Sequence, residues 1–334
     1  MKKVLFASTA LVAFTGAAAA DVTLSGRAEM GIFDTNAVGV GAQFFTDIDV
    51  TFTMSGETDN GLTFGASVDL DEAGGNNTLV TSPGGVPIAG VAIVNGATGN
   101  NADDGGATIF ISGGFGTITM GDTDGAMDWA LTEAGNVGNP GSIADDETSH
   151  AGYLGSYLDG AYDGQILRWD YTVGDFGVAV SIDDDNGVAG LSPGYAIGFK
   201  YNLDLSGTTV ALGLGYQDVD TLGSTVGVSA SATFNNGLSA GIQYSTFSGD
   251  VVGTDGDHLG IGVGYTTGAF SIHANYGKFG TDSAALADPS GYGIAAAYDL
   301  GGGAVVHFGY GKSDFDTVGV ADFSTVSLGL GLSF

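Results

Sequence analysis

The chain has 334 residues, no cysteine, and 38 acidic against 7 basic residues, for a formal charge of −31. The missing cysteines exclude a disulfide scaffold and thiol chemistry, and so acidic a field repels nucleic acid, which needs a basic footprint. With 43% hydrophobic and 10% aromatic residues, the chain is not an acidic disordered segment either.

Residues 1–20 read as an export signal. Met1-Lys2-Lys3 is a positive start, Val4 to Val12 an apolar run, and Ala18-Ala19-Ala20 a small-residue cleavage site before Asp21. The run is too short for a membrane anchor, so the mature chain is expected to begin at Asp21. Once Lys2 and Lys3 are removed, its basic residues are Arg27, Arg168, Lys200, Lys278 and Lys312.

From Asp21 the dominant hydrophobic period is two, the signal of strands. Val22, Leu24, Met30 and Ile32 oppose Thr23, Ser25, Arg27 and Glu29. Phe44, Ile48, Val50, Phe52 and Met54 oppose Asp47, Asp49, Thr51 and Thr53, and Phe64, Ala66, Val68 and Leu70 oppose Thr63, Ser67 and Asp69. Continued to the end, the pattern predicts strands beginning near Val22, Phe44, Leu62, Thr108, Thr117, Gln165, Gly177, Tyr195, Thr208, Val226, Leu238, His258, Phe270, Gly291, Ala304 and Phe323. Most have the length that a tilted strand needs to cross a bilayer. A sandwich core needs large apolar groups on facing sheets. Here one face is apolar and the other small and polar, which suits lipid outside and water inside. The predicted fold is all-β, a 16-stranded antiparallel transmembrane β-barrel.

The connections alternate in length. Tight turns at 58–61, 113–116, 173–175, 203–207, 235–237, 267–268 and 300–303 use Asn-Gly and Gly-Gly pairs. Long polar segments at 34–41, 72–106, 122–164, 183–194, 218–224, 248–257, 278–290 and 313–322 lie between them. Such asymmetry marks an outer-membrane barrel, with both termini expected on the periplasmic, short-turn side. Aromatics such as Phe44, Trp169, Tyr171, Phe176, Tyr195, Tyr201, Tyr265 and Tyr292 fall near strand ends on the apolar parity and read as interfacial girdles. The last strand ends in Phe334, which resembles the signal read by the outer-membrane barrel assembly machinery.

Val22-Thr23-Leu24-Ser25-Gly26-Arg27, Phe52-Thr53-Met54-Ser55-Gly56, Gly61 to Ser67, Phe115 to Asp122 and Tyr298 to Gly303 resemble the trimeric general porins of alphaproteobacteria. The resemblance spans residues 21–334 and is strongest from Val22 to Asp122 and from Gly291 to Phe334. It implies a homotrimer set among outer-membrane lipid and lipopolysaccharide, through which small polar solutes and ions diffuse. It also implies a third extracellular loop folded inward as a constriction, with acids facing a basic wall and calcium often bound among the carboxylates. Carried over by position, that loop is 122–164, with Asp122, Asp124, Asp128, Glu133, Asp145, Asp146, Glu147, Asp159 and Asp163. The wall carries Arg27, Arg168 and Lys200, beside Glu29 and Asp170.

The chain departs from the pattern where relatives have arginines, because Asp47 and Asp49 stand there. Facing the lumen, these acids would favour cations; a placement at the rim stays open. Calcium could also be held at Asp183-Asp184-Asp185 or Asp103-Asp104, with the third loop the better candidate. Serines lack a nucleophile motif, and His150, His258, His273 and His307 are scattered, so neither catalysis nor a required cofactor is expected. Alternatives are a substrate-specific channel, or a structural or adhesive barrel with a plugged lumen. Lumen-parity glycines (Gly198, Gly213, Gly215, Gly260, Gly262, Gly264) speak against a plug of side chains. The second long segment, 72–106, would either latch over a neighbouring subunit or cap its own barrel.

Overall fold

The computed structural model describes residues 21–37, 39, 41–71, 106–153, 156, 165–183, 193–220, 222–283, 287–317 and 319–334. Its strands are β1 Asp21–Thr35, β2 Gln43–Glu57, β3 Thr63–Asp71, β4 Ala107–Gly113, β5 Gly116–Gly121, β6 Ile166–Val173, β7 Phe176–Asp183 and β8 Gly194–Asp204. The second half contains β9 Thr208–Val219, β10 Gly223–Phe234, β11 Leu238–Gly249, β12 Gly256–Thr267, β13 Phe270–Thr281, β14 Ser290–Gly301, β15 Ala304–Asp314 and β16 Phe323–Ser333. The expected strand starts hold closely; the largest difference is at β10, which begins at Gly223 rather than Val226. Each strand pairs antiparallel with its chain neighbours, and β16 pairs with β1 to close the ring. Closure leaves no sheet edge, which is the condition for a β-structure to lie in lipid. Among the described residues, no helix is long and apolar enough to cross a membrane.

The alternation sorts the side chains. Val22, Leu24, Ile109, Val263 and Leu328 are exposed on the outside, while Thr225, Gln243, Ser245 and His273 are buried on the inside. Exposed aromatics form two belts. Tyr171, Phe176, Tyr201, Tyr265 and Phe270 lie near the short turns; Phe44, Tyr195, Tyr216, Tyr244, Tyr276 and Tyr292 lie near the long loops. Trp169 stacks on Tyr171 with ring centroids 6.3 Å apart and donates from Nε1 to the Phe115 carbonyl at 2.8 Å. Tyr216 and Tyr244 donate to Asp218 and Asp257 at 3.0 and 3.1 Å. Rings with an apolar body and a polar tip suit a membrane–water boundary.

The short turn at 301–303 has three successive glycines at φ 82, 67 and 88°, a backbone that L-residues with a Cβ rarely adopt. At the last residue of the chain, the Phe334 N–H donates to the Gly26 carbonyl at 2.9 Å and completes the β1–β16 seam. The buried apolar side chains are concentrated between the inner wall and the segment that follows β5. Ala126, Met127, Ala130, Ala134, Val137 and Ile143 supply them.

Candidate pore constriction

That segment, the third loop, runs along the inside of the ring. A short helix, α1 Ala126–Ala130, packs on β6 to β9, and a 3-10 turn at Ala134–Asn136 packs on β10 to β13. Ile143 then reaches Gly31 and Gly329 at the seam, and Gly152 turns back onto Gly277 of β13.

The wall under the loop admits this close approach because it lacks side chains. A Cβ at Gly198, Gly213 or Gly262 would run into the carbonyl oxygens of Ala126, Ala130 and Ala134; at Gly264 or Gly293 it would meet those of Gly138 and Glu147. The lumen-parity glycines speak against a plug of side chains, and what lies over most of them is loop backbone. Gly198, Gly213, Gly215, Gly262 and Gly264 seat the loop, while Gly260 faces His258 and Ala134 at ordinary contact distance. Their role is to bring two backbones together, a close-packing demand that periodicity does not express.

Wall side chains then take up the loop's backbone groups, as burial away from water requires. Ser181, Ser229 and Ser313 hydroxyls accept from the N–H groups of Ala126, Thr132 and Ala151 at 2.9, 2.8 and 2.9 Å. Sequence reasoning missed the histidines, because residues so far apart in the chain carry no spacing signal. All four are buried between loop and wall. His258 Nε2 and His307 Nδ1 donate to the carbonyls of Gly152 and Gly141, both at 2.9 Å. His150, on the loop, pairs through Nε2 with Asn275 Oδ1 at 2.7 Å. Burial pushes His150 down to about 4, with His258 acting the same way and the Asn275 bond opposing.

The loop acids divide. Asp146 and Glu147 are only 1% exposed and do not line open lumen, contrary to expectation. Glu147 accepts from Ser142 Oγ at 2.5 Å and Asn139 Nδ2 at 2.9 Å, and Asp146 lies against Ser327 and Thr325. Both are drawn inward because a loop stripped of water needs strong acceptors for its own donors and for the wall's hydroxyls. Burial pushes Asp146 up to about 6, with Glu147 adding to it and the hydroxyls of Ser327 and Thr325 opposing.

Asp145, immediately before them, is exposed to the lumen. It takes a left-handed backbone, φ 48°, which aspartate tolerates better than most residues. Its enclosed position and the carboxylates of Glu147, Asp146 and Asp47 push its carboxyl up to about 6, against the pull of Arg27. Asp124 is also exposed, and Asp122, Asp128 and Glu133 are half-buried. Glu133 accepts from the Tyr153 hydroxyl at 3.0 Å. Asp159 and Asp163 lie outside the described residues, as do 1–20, 72–105 and 184–185.

On the wall, register brings four charges together. Arg27 lies opposite Asp49 and Glu29 opposite Asp47, within the strands rather than in a rim loop, and Arg27 donates to Glu29. The other two bases do not form a free wall opposite the loop acids. Arg168 donates to the Asp124 carbonyl at 2.7 Å and sits 3.4 Å from Asp170, and Lys200 Nζ lies 3.5 Å from the Trp129 ring centroid. Both hold the start of the loop, because the loop passes directly over them. Among the described residues, no three His, Asp or Glu side chains are grouped to hold a metal ion, so the calcium implied by resemblance finds no donor set there.

A ring of sixteen strands, apolar outside and polar inside, with a segment of its own chain laid along the lumen, defines a transmembrane diffusion channel. The chain belongs to the Gram-negative porin family, whose profile matches residues 7–318. It is 27% identical over 320 residues to a porin of Rhodobacter capsulatus, a match covering 88% of this chain and 95% of that one. Solved structures share the fold. One porin, 24% identical, superposes with a TM-score of 0.66 over 94% of this chain and 100% of its own. A variant of the Rhodopseudomonas blastica porin, 20% identical, does so with a TM-score of 0.60 over the same shares. The protein is a passive porin of the outer membrane.

Proposed function

We propose that this porin is a weakly cation-selective homotrimer whose third loop is its constriction, and that it works as a channel without catalysis or cofactor. The supporting observation is the disposition of charge. Each lumen base is engaged close to its own strand: Arg27 with Glu29, Arg168 with Asp170 and the Asp124 carbonyl, Lys200 with Trp129. Asp47 and Asp49 share the Arg27 wall, and Asp145 stands exposed near them. Field lines in a narrow, low-dielectric passage concentrate counter-ions, so acids along the passage raise local cation concentration. The termini lie on the periplasmic side in this reading, with residues 1–20 removed on export.

The test is the reversal potential of reconstituted trimers in a KCl gradient. Wild type is expected to prefer K⁺, and the D47N/D49N pair to lower that preference by about half in permeability ratio, a shift of a few tenths of a kcal/mol. An unchanged ratio would move selectivity to Asp145 and the loop. Anion preference in wild type would end the cation-selective reading.

A further inference from the structure

Asn275 of β13 has a lumen-facing side chain that is 6% exposed and touches two separate parts of the third loop. Its Nδ2 donates to the Glu147 carbonyl at 2.8 Å and, more weakly, to the Gly135 carbonyl at 3.3 Å. Its Oδ1 accepts from the Gly293 N–H at 3.0 Å and from His150 Nε2 at 2.7 Å. The amide orientation is fixed, since a backbone N–H lies on one side and two backbone carbonyls on the other. That in turn fixes His150 with its proton on Nε2, leaving Nδ1 to accept from the Gly152 N–H at 3.3 Å.

One side chain thus ties down positions 135, 147 and 150, and the arch between them carries Ile143 and Asp145. We infer that Asn275 is the positioning residue of the constriction: it meets no solute, yet it sets where Asp145 stands relative to Arg27, Glu29 and Asp47 on β1 and β2, four and five strands further round the ring. The inference rests on the reading of the third loop as the constriction. The neighbouring strands offer little to replace Asn275, because its register partners, Gly262 on β12 and Gly293 on β14, have no side chain. His273, two residues away on the same strand, shares the Gly135 carbonyl, whereas the bond to the Glu147 carbonyl is made by Asn275. The titratable groups around it are His150 and Tyr153 on the loop, His273 on its own strand and His258 on β12, with the Glu147 carboxylate turned away toward Ser142 and Asn139.

The experiment compares wild type, N275L and N275D as reconstituted trimers that remain resistant to SDS at room temperature, recording single-channel conductance and KCl reversal potential from pH 8 to pH 4. N275L removes every bond at nearly constant volume, and it is expected to broaden the conductance distribution, lower its mean at least twofold and erode the K⁺ preference. N275D keeps the acceptor and loses the donor, so at pH 8 it should resemble N275L. As the pH falls, the new carboxyl is protonated and again donates to the Glu147 carbonyl, so N275D should recover toward wild type while N275L does not. A packing role alone would leave the isosteric N275D indistinguishable from wild type at every pH, and that result overturns the inference. So does an N275L channel with wild-type conductance and selectivity. Failure of both variants to form trimers would assign Asn275 to barrel formation and equally end it. If wild type itself lacks cation preference, the proposed selectivity fails, but conductance still judges Asn275.

Discussion

Strands β2 to β6 and strands β8 to β16 are parts of one ring with differently built inner faces. On β2 to β6 the lumen parity bears side chains such as Asp47, Asp49, Thr51, Ser67, Asp69, Phe110, Thr119 and Arg168. On β8 to β16 it is largely glycine, alanine, serine and threonine, interrupted by buried histidine, asparagine and glutamine. Most of the first wall is part-exposed toward the lumen, although Asp47 is buried and Arg168 lies under the start of the loop; the second is covered by the third loop. A small lumen residue therefore signals either open bore or a seat for backbone, and only the loop's course tells which. Charge follows the same division: Asp49, opposite Arg27, belongs to the barer side, whereas Arg168 and Lys200 mark the edge where the loop begins.

Bulk should separate the two walls most sharply. Gly262→Val drives a side chain into the Ala134 carbonyl, and overpacking of this kind costs about 1–3 kcal/mol. The loop is expected to lift into the lumen and single-channel conductance to fall by more than half. Ser67→Val on the bare wall should leave conductance within about a tenth of wild type, small surface changes being near neutral. Equal effects at the two positions would erase the distinction.

Proton uptake should have a smaller effect. Asp145 stands at about 6, so it is ionised above that pH and neutral below it. Cation preference should therefore hold above about pH 7 and decline as the pH drops through 6. D145N should flatten the profile in a reversal-potential titration; a profile unchanged in D145N would remove Asp145 from the field that ions feel. The same raised value means that seating this ionised carboxyl is unfavourable, so its contribution to loop stability is fully present below the ordinary aspartate range and lost as the pH rises through 6.

The mildest change tests the boundary. K200M removes a cation–π contact, worth ~0.5–1 kcal/mol, while keeping most of the packing on Trp129. Conductance should hold, and K⁺ preference should rise slightly with one positive charge gone from the lumen. A fall in K⁺ preference would mean that Lys200 holds the loop through its charge.

The ring was legible because alternation is a local property, and sixteen alternating runs with turns between them leave few architectures. Asp47 and Asp49 were legible as inward residues for the same reason. The loop's acids were not, since parity fails outside strands: Asp145, Asp146 and Glu147 are consecutive, yet one faces the lumen and two are buried. Asn275 and the wall histidines were visible as large polar residues on an otherwise small-residue parity, but nothing local linked them to carbonyls more than a hundred positions away.

The seam has a consequence for how the molecule comes into being. Asn36 and Asp322, bonded across it, are 286 residues apart, and the final contact uses the last residue of the chain. Until Phe334 arrives, β1 and β15 are two raw margins that neither lipid nor water can satisfy together. Bringing such distant ends together is slow and entropically demanding. Biogenesis therefore has no useful halfway product, and losing a single C-terminal strand should leave not a leaky channel but an open sheet.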